Sequence, residues 1–508
     1  MLKKNIGLLV GILFSLPGFS QQKGPVVIIM ADQLRADVLG EMTPHIRQLQ
    51  AESVDFERTY CASPLCAPSR AAFFTGLFPN RNGSKINPWS AEDEVHGTVV
   101  AGTANLYTLF EKSWDSYHVG KQHLFTAEKI DKKPNSPTRW TTQADYNKWL
   151  SQLKKTKPGG RHFKAEAPEL VSGSFTRLRS YSTPKTELYP DGLEYFLDHY
   201  ITTESIKAIK SRDKNKPLLL NAMYLAPHPP FHIPDPYFSM FKPGDYQVPE
   251  NVGVWYPGQS PFQMYSLTGF LGSRYTREQW TDTWAKYLGL VKLLDDEVGR
   301  LIQVLKEEGL YDEAMIIFTS DHGEMLGSHS LWQKMCMYEE SVRVPLFIKF
   351  PRSYKPSVTK IANPVSLVDV LPTLLDYYGV QQPTPLDGVS LLPLVAGKSK
   401  QRAPVFIQYD GNGSLGNGQR CLVRGNDKLI VDTFKDEYFF ELYDVKKDPM
   451  EKENLAFLPQ NREKIEQLFT ELQNIMKKTG DRLSFSKSSL QQFYTNYVNA
   501  SNSKSANE

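Results

Sequence analysis

The chain has 508 residues, of which 40% are hydrophobic and 23% charged, with a formal net charge of +3. This length allows one large domain with an appendage or two to three ordinary domains. The composition is that of a globular protein, and the near-neutral charge argues against a nucleic acid partner. Four cysteines in so long a chain do not make a disulfide scaffold.

The first twenty residues have the pattern of a secretory signal peptide. Two lysines near the start precede a mostly apolar run at 5–16, and Gly18 and Ser20 supply small residues for cleavage near Ser20. The alternative is a membrane anchor, but the run is short for a membrane-spanning helix. We therefore expect a secreted or periplasmic protein with no membrane span in the mature chain.

Short apolar runs along the chain predict buried strands. They are VVIIM (26–30), LLLNAMYL (218–225), MIIFTS (315–320) and VPLFIKF (344–350). They do not alternate with polar residues, which is typical of strands covered on both faces. A helical pattern from about Trp284 to Glu308 precedes the third run. We therefore predict an α/β fold with a large, mostly parallel or mixed sheet between helices.

The sequence changes character near Pro385, where a loop closes the large domain. Three shorter strand candidates follow at 404–410, 421–432 and 438–445, and an amphipathic helix follows at about 461–478. This order predicts a smaller C-terminal antiparallel sheet with a helix. We divide the chain into a signal peptide (1–20), a catalytic domain (21–398), a C-terminal subdomain (399–490) and a polar tail (491–508). The last ten residues, NASNSKSANE, are expected to be disordered.

Polar clusters follow the ends of four predicted strands. They are ADQLRAD after the first run, KQH after SYHVG, APHPPFHIP after the second run and DHGEMLGSH after the third. Ligands of open α/β sheets bind outside the carboxyl ends of the strands. We therefore expect the four clusters to converge on one active site.

The residue types in these clusters suit a metal and an anionic, tetrahedral substrate. Asp32, Gln33 and Asp321 offer hard oxygen donors for Ca²⁺ or Mg²⁺, and His322 adds a nitrogen donor that leaves the metal open. Cations and proton-transfer groups accompany them, namely Arg70, Lys121, His123, His228 and Lys334. Such a site stabilises charge that develops on a phosphoryl or sulfuryl oxygen.

The stretch CAPSRAAFFTG (66–76) closely resembles the signature of the formylglycine-dependent sulfatases. In that family the cysteine is oxidised after translation to an aldehyde, formylglycine (3-oxoalanine). Cys66 fits the signature because proline and arginine follow it at the required places. Cys61 does not fit, because Ser63 and Leu65 stand at those places. We expect Cys61 to be a small packed residue.

The resemblance covers nearly the whole mature chain and implies a type I sulfatase of the alkaline phosphatase superfamily. It implies five metal ligands, namely Asp32, Gln33, modified Cys66, Asp321 and His322. Ca²⁺ is the expected ion, with Mg²⁺ or Mn²⁺ as alternatives. It also implies catalytic positions around the aldehyde hydrate and the sulfate, namely Cys66, Arg70, Lys121, His123, His228 and Lys334.

The family chemistry implies a role for two histidines. One hydroxyl of the aldehyde hydrate attacks the sulfur, and His228 is our first choice as the acid that protonates the leaving alcohol. His123 is the expected acceptor of the second hydroxyl's proton when sulfate is expelled. The modification implies a maturation partner, either a formylglycine-generating enzyme or an anaerobic sulfatase maturase.

Two other interpretations stay open. Phosphonate monoester and phosphodiester hydrolases use the same modified cysteine and resemble the same metal set. The pair Lys121 and His123 is typical of sulfatases and is generally replaced in those hydrolases. A non-catalytic glycan-binding protein on a sulfatase scaffold would instead leave Cys66 unmodified.

The expected substrate is a sulfated glycan. Export favours this class, and the CAPSR core also resembles the iduronate-2-sulfatases, which favours a glycosaminoglycan-type substrate. Candidate residues for the rim of the substrate pocket are Arg81, Trp89, His96, His232 and Trp332. The region 131–190 adds aromatic rings and cations that suit a sulfated or uronic-acid-bearing saccharide. They are Trp140, Tyr146, Trp149, Lys154, Lys155, Arg161 and His162.

Overall fold

The computed structural model of the chain describes residues 24–89, 93–171, 175–382, 384–399 and 402–499. The predicted signal peptide and the last nine residues of the predicted tail lie outside the described residues. Among the helices of the described part, none combines the length and the apolar composition of a membrane span. All four cysteines are buried and unpaired, so none of them forms a disulfide.

Strands and helices are numbered in chain order. The strands are β1 Val26–Asp32, β2 Val54–Phe56, β3 Thr59–Tyr60, β4 Asp115–Gly120, β5 Arg139–Thr142, β6 Lys164–Val171, β7 Phe175–Ser182, β8 Thr186–Leu188, β9 Leu218–Pro227, β10 Phe231–Ile233, β11 Met315–Ser320, β12 Arg343–Val344, β13 Leu346–Lys349, β14 Lys360–Ile361, β15 Val365–Ser366, β16 Val405–Tyr409, β17 Gln419–Arg424, β18 Asp427–Phe434 and β19 Glu437–Asp444. The α-helices are α1 Pro44–Ala51, α2 Cys66–Thr75, α3 Pro79–Asn82, α4 Glu94–Gly97, α5 Leu106–Phe110, α6 Gln143–Gln152, α7 Leu197–Ser211, α8 Leu267–Gly272, α9 Arg277–Glu307, α10 Glu339–Val342, α11 Val370–Tyr378, α12 Leu392–Val395, α13 Arg462–Thr479 and α14 Lys487–Phe493.

An eight-stranded mixed sheet forms the centre of the large domain, in the order β14-β2-β13-β11-β1-β9-β4-β5. The strands from β11 to β5 run parallel, whereas β13 is antiparallel to both of its neighbours. Strands β1 and β11 are buried along their whole length. Burial on both faces explains why their sequences do not alternate, and the predicted α/β sheet is confirmed.

Helices cover both faces of this sheet. Helices α7 and α9 pack against β9 and against each other. Helix α5 lies on the opposite face, where the Tyr107 hydroxyl is 2.6 Å from Nδ1 of His118 in β4. Helix α9 begins seven residues before the predicted start, because Thr276 and Gln279 form a capping box at Arg277.

The C-terminal subdomain is built on an antiparallel sheet in the order β16-β17-β18-β19, which α13 and α14 cover. The smaller antiparallel sheet and its helix are therefore confirmed. The segment 421–432 is not the single strand that its sequence predicts, because it belongs to the hairpin of β17 and β18. The chain turns at Gly425, whose φ of 58° is a left-handed conformation that glycine adopts without strain.

The predicted polar tail overlaps a folded segment. Helix α14 continues into a π-helical turn at Tyr494–Asn499. Phe493, Tyr494 and Val498 are buried in the hydrophobic cluster of the C-terminal subdomain. The segment is predicted to be a tail because most of its residues are polar. Its few apolar side chains nevertheless recur on one helical face and pack against the subdomain.

The C-terminal subdomain buries an acid, Asp432, which is 1% exposed and accepts a 2.7 Å hydrogen bond from the Ser260 hydroxyl. Burial, with repulsion from Glu441, raises the pKa of Asp432 to about 8. Because this folded-state pKa lies above that of an unfolded chain, stability is lost as the pH rises from about 4 to about 8.

We expect Asp432→Asn to raise the melting temperature more at about pH 8 than at about pH 5, because the amide never ionises. Differential scanning calorimetry of both proteins at the two pH values tests this. An equal or larger gain at the lower pH would show that Asp432 is ionised in the folded chain.

Candidate active site

The motif around Cys66 folds as the first turns of α2, all of whose residues are buried. Cys66 and Arg70 lie one turn apart on the same helical face. Arg70 donates from Nε to Asp321 at 2.8 Å and from Nη2 to Asp32 at 3.3 Å, and the Ser69 hydroxyl donates to the Asp321 carbonyl at 2.5 Å. The spacing of the motif therefore attaches the helix to the ends of β1 and β11, with its positive end at Cys66.

A candidate metal centre lies beside Cys66. Asp32, Cys66, Asp321 and His322 are buried and place one ligand atom each within 4.8 Å of one another. The Cys66 sulfur lies 3.0 Å from Nε2 of His322 and 3.8 Å from Oδ1 of Asp32. Nδ1 of His322 is 2.9 Å from the Gly323 carbonyl, which leaves Nε2 facing the cluster. Two buried carboxylates with one imidazole fit a hard divalent cation.

Gln33 connects the metal centre to Lys334. Its φ is 70°, an uncommon left-handed conformation for this residue type. Its backbone N–H donates to Asp321 at 3.2 Å, and its side-chain oxygen accepts from Lys334 at 2.6 Å. Its side-chain nitrogen donates to Glu324. Gln33 thus lies beside the cluster, and its amide oxygen is directed to a lysine.

Lys121 and His123 approach Cys66 from the end of β4. The Lys121 ammonium pairs with Asp32 and lies 3.5 Å from the Cys66 sulfur. Nδ1 of His123 is buried and has no hydrogen-bond partner among the described residues. Burial, with repulsion from Lys121, lowers the pKa of His123 to about 4. His123 is therefore neutral near pH 7 and can accept a proton.

His228 and Lys334 meet on another side of Cys66. Nδ1 of His228 donates to the Pro229 carbonyl, and Nε2 lies 3.3 Å from the Lys334 ammonium. The ring nitrogen that faces the reactive centre is therefore Nε2. A lysine and an imidazole in contact can hold an anionic group and move a proton at the same place.

Asp198 holds the loop that carries His228, and sequence reasoning missed it. Its Oδ1 accepts from the backbone N–H groups of Leu225 and Ala226, both at 2.8 Å. Its position at the start of α7 is remote in sequence from the polar clusters. No helix is predicted there from the sequence, and the position of Asp198 in the first turn of α7 is known only from the structure.

Cations concentrate around Cys66. Burial raises the pKa of the Cys66 thiol, but Lys121, Lys334 and His322 outweigh burial and hold this pKa well below its usual range. Burial and Cys66 likewise raise the pKa of Asp32, yet Lys121 and other cations bring it down to about 2. The site therefore stabilises negative charge where Cys66 lies.

The centre opens into a cavity of about 760 Å³. Cys66, Lys121, His123, His228 and Lys334 line this cavity. The buried Arg70, Asp32, Asp321 and His322 lie behind Cys66 and bond to one another or to it. The structure thus brings together the predicted catalytic and metal-binding residues.

Comparisons with known proteins agree with this site. The family model described as Sulfatase matches residues 25–380. The chain belongs to the sulfatase family. A second model, described as N-sulphoglucosamine sulphohydrolase, C-terminal, matches residues 327–478 of this sulfatase. The chain is a type I sulfatase of the alkaline phosphatase superfamily and a sulfuric ester hydrolase.

Relatives match this sulfatase over most of their length. An arylsulfatase of Clostridium perfringens is 27% identical over 480 residues, which are 88% of this chain and 93% of the relative. An N-acetylglucosamine-6-O-sulfatase of Bacteroides thetaiotaomicron is 23% identical over 86% of this chain and 82% of the relative. The structure of a phosphonate monoester hydrolase of Agrobacterium radiobacter superposes with a TM-score of 0.71 at 22% identity. It covers 90% of this chain and 96% of that chain, which shows a shared fold.

The predicted rim residues of the sulfatase take different positions. Trp89 lines the cavity and is 47% exposed. Trp332 and His232 are buried outside the cavity lining. The Trp332 indole donates to the Ser182 carbonyl at 2.7 Å, and His232 accepts from Gly159 N–H at 3.0 Å. Their side chains therefore do not face the cavity, and instead they hold the backbone of the neighbouring segments at Ser182 and Gly159.

The other two rim candidates are also outside the cavity lining. Arg81 pairs with Asp387 at 2.8 Å, and His96 lies on the short helix α4. The rim prediction is therefore wrong for four of the five residues and holds for Trp89. Nearness in sequence to a catalytic motif does not direct a side chain into the cavity.

The region 131–190 does contribute to the cavity lining, but mostly through residues that were not predicted. Tyr146 lines it as expected, but Lys155 pairs with Asp191 at 3.3 Å outside it. Residues that line the cavity and were not predicted include Lys157, Lys164, Arg179 and Asn412. Strand register and loop path decide which side chains reach the cavity, and the sequence pattern did not show either.

Proposed function

We propose that this sulfatase releases sulfate from a sulfated carbohydrate, using formylglycine formed from Cys66 and a divalent metal, with Ca²⁺ the first choice. The observation that carries the proposal is Cys66 in the wall of a cavity, with Lys121, His123, His228 and Lys334 around it. The relative that is an N-acetylglucosamine-6-O-sulfatase supports a sugar substrate. Export and maturation by a formylglycine-generating enzyme or an anaerobic maturase belong to the same proposal.

Asp32, Asp321, His322 and the modified Cys66 would hold the metal. The family resemblance implies Gln33 as a further ligand, and its amide oxygen, which accepts from Lys334, would have to be shared with the metal. The fit rests on the four buried ligand atoms within 4.8 Å. When bound, the metal supplies Lewis-acid activation of an oxygen and neutralises charge on the sulfate. An aldehyde hydrate supplies two hydroxyls on one carbon, one to attack sulfur and one whose deprotonation expels sulfate.

The residues of the chain orient these groups. Arg70 forms ion pairs with Asp32 and Asp321. Lys121 pairs with Asp32 and contacts the Cys66 sulfur. The two cations therefore orient the side chain of residue 66, which carries the attacking hydroxyl. His123, neutral because of its lowered pKa, accepts the proton of the second hydroxyl. Lys334 binds sulfate oxygens. Burial and Lys334 lower the pKa of His228, and its Nδ1 donates to Pro229, so Nε2 carries a proton only when the negative charge of a bound sulfate favours the imidazolium. The imidazolium then delivers this proton from Nε2 to the leaving oxygen.

The phosphonate hydrolase alternative has one specific observation in its favour, the fold shared with the Agrobacterium radiobacter enzyme. That likeness shows the fold alone. Lys121 and His123 both reach the cavity beside Cys66, and a pair of this kind is typical of sulfatases. Sulfate ester hydrolysis is therefore the function that the site supports best.

Product release tests the proposed function. The protein is produced with a formylglycine-generating enzyme and offered sulfated mono- and disaccharides beside an aryl phosphonate monoester. We expect inorganic sulfate from at least one saccharide, measured by ion chromatography. Turnover of the phosphonate alone would favour the alternative. Unmodified Cys66 in protein from the native host, seen by peptide mass spectrometry, would favour a non-catalytic glycan-binding protein.

Lys334 offers a test of sulfate binding. Its side chain is 3% exposed and lies between Gln33 and His228. We expect Lys334→Ala to lower kcat/KM roughly 10²-fold, with a higher KM and a lower kcat, because the lysine faces charge in the bound sulfate and in the transition state. Steady-state kinetics on a sulfated saccharide measure both.

The matched control is Lys349→Ala, which removes a buried lysine that bonds the Tyr311 carbonyl, outside the cavity lining. This control should keep the kinetic constants per folded molecule. Unchanged kinetics in Lys334→Ala would show that the lysine does not contact the sulfate.

A further inference from the structure

Two lysines of the cavity have no part in the proposed reaction. Lys157 and Lys164 line the cavity and are exposed. Neither forms an ion pair with any described residue, whereas Lys121 pairs with Asp32. Asp198 is the one acidic residue of the cavity lining, among the described residues. Positive charge is therefore concentrated in the cavity lining, although the net charge of the whole chain is only +3.

Lys164 lies on the Lys334 side of the cavity. It starts β6 and pairs in register with Ser182 of β7. The Ser182 carbonyl accepts from the Gln333 side chain at 3.3 Å, and Lys334 is the next residue. Directly opposed residues of an antiparallel pair point to the same face. Lys164 therefore shares a face with Ser182, and both residues line the cavity next to Gln333 and Lys334.

Lys157 lies on the His228 side. Its loop packs against the loop of His228, because Gly159 donates its N–H to His232 at 3.0 Å. A Cβ placed at Gly159, which has a φ of 94°, would come within 2.8 Å of Pro230. This contact fixes the loop two residues from His228. The two free lysines therefore flank the reactive centre from different elements.

Arg179 is a third cation of the lining, but its charge is already balanced. It pairs with Glu169 at 3.3 Å and with Asp93 at 3.5 Å. Its guanidinium lies 5.1 Å from the centre of the exposed Trp89 ring. This pair forms a fixed, flat wall on which a sugar ring can pack. Apart from Lys334, which is assigned to the cleaved sulfate, Lys157 and Lys164 thus supply the positive charge of the cavity lining that no described carboxylate balances.

We propose that Lys157 and Lys164 form a second anion-binding subsite, so that the substrate carries a sulfate or a carboxylate in addition to the sulfate that is cleaved. The inference rests on the proposed function and specifies its substrate class. Flexible ammonium groups without a protein partner bind anions as point charges at varied positions. A subsite of this kind confers preference for a doubly charged saccharide, and salt weakens that preference.

Two pairs of saccharides test this subsite and distinguish the two anions. The first pair is N-acetylglucosamine 6-O-sulfate with D-glucosamine-2-N,6-O-disulfate. The second is a sulfated, uronate-containing disaccharide with its carboxyl-reduced form. We expect the matured enzyme to prefer the doubly charged member of at least one pair by about tenfold in kcat/KM, the sum of two exposed ion pairs. The pair that shows the preference identifies the anion.

The variant Lys157→Ala/Lys164→Ala should lose this preference and keep its kcat/KM for the singly charged member. The control Lys148→Ala/Lys210→Ala removes the same charge from exposed lysines outside the cavity lining, and it should keep the preference. Equal kcat/KM within both pairs for the wild type would overturn the proposal. A preference that survives in the cavity variant, or that is lost in the control, would also overturn it.

Binding to Cys66→Ala separates this inference from the proposed function. Calorimetric titration of that variant with the same saccharides requires no turnover. Suppose that the matured wild type hydrolyses none of the esters, but Cys66→Ala binds the doubly charged member of a pair about tenfold more tightly than the singly charged one. The proposed function then fails and the subsite stands. If sulfate is released and neither kcat/KM nor affinity differs within the pairs, the subsite fails alone.

Discussion

Cys66→Ala is expected to abolish sulfate release, with kcat lowered by at least about 10⁴-fold, because the variant has no precursor of the covalent nucleophile. The fold should persist. Cys66 is 3% exposed and forms no disulfide, and alanine is the best helix former for the first turn of α2. Ion chromatography of released sulfate and near-ultraviolet circular dichroism measure the two properties.

Cys61→Ala is the matched control, since it removes the other thiol of the same segment. Cys61 is buried, and burial with repulsion from Asp321 raises the pKa of its thiol well above the usual range. A protonated, enclosed thiol is inert. The control should keep its turnover per folded molecule. Turnover by Cys66→Ala at a rate near that of the control would exclude covalent catalysis through this residue.

The parts of the fold that were predictable are those with one dominant physical signal. Strands β1, β9 and β11 lie between helix layers, so their sequences are continuously apolar and identify them as buried. The segment 421–432 mixes apolar residues with a turn, so its pattern does not separate the two strands. The start of α9 depends on a capping box at Thr276, which lies outside the apolar periodicity.

The reactive centre was predictable for a related reason. Its residues follow strand ends or stand in a helical motif, and parallel strands bring their carboxyl ends to one edge of the sheet. The substrate wall follows no such rule. Lys164 reaches the cavity through the register of a hairpin, and Asn412 reaches it from the C-terminal subdomain. Asp198 acts through two backbone N–H groups, a contact that only the folded chain reveals.

His228→Ala is expected to lower kcat on a sugar sulfate by about 10²- to 10⁴-fold, the usual contribution of a general acid. The geometry supports this role. Nδ1 of His228 is engaged by the Pro229 carbonyl, and Nε2 faces the cavity beside Lys334. A sugar alkoxide is a poor leaving group and must be protonated as it departs. 4-Nitrophenolate is a good leaving group and needs little protonation, so 4-nitrophenyl sulfate should lose far less activity in the same variant.

The ratio of the two losses distinguishes proton transfer from binding. If His228 only held the sulfate, both esters would lose activity equally, since both carry the same sulfate group. His232→Ala is the matched control, because this buried histidine of the neighbouring strand β10 lies outside the cavity lining. In His232→Ala, any loss of activity should be the same for the sugar sulfate and for 4-nitrophenyl sulfate. A loss in His228→Ala that does not depend on the leaving group would assign this residue to sulfate binding with Lys334.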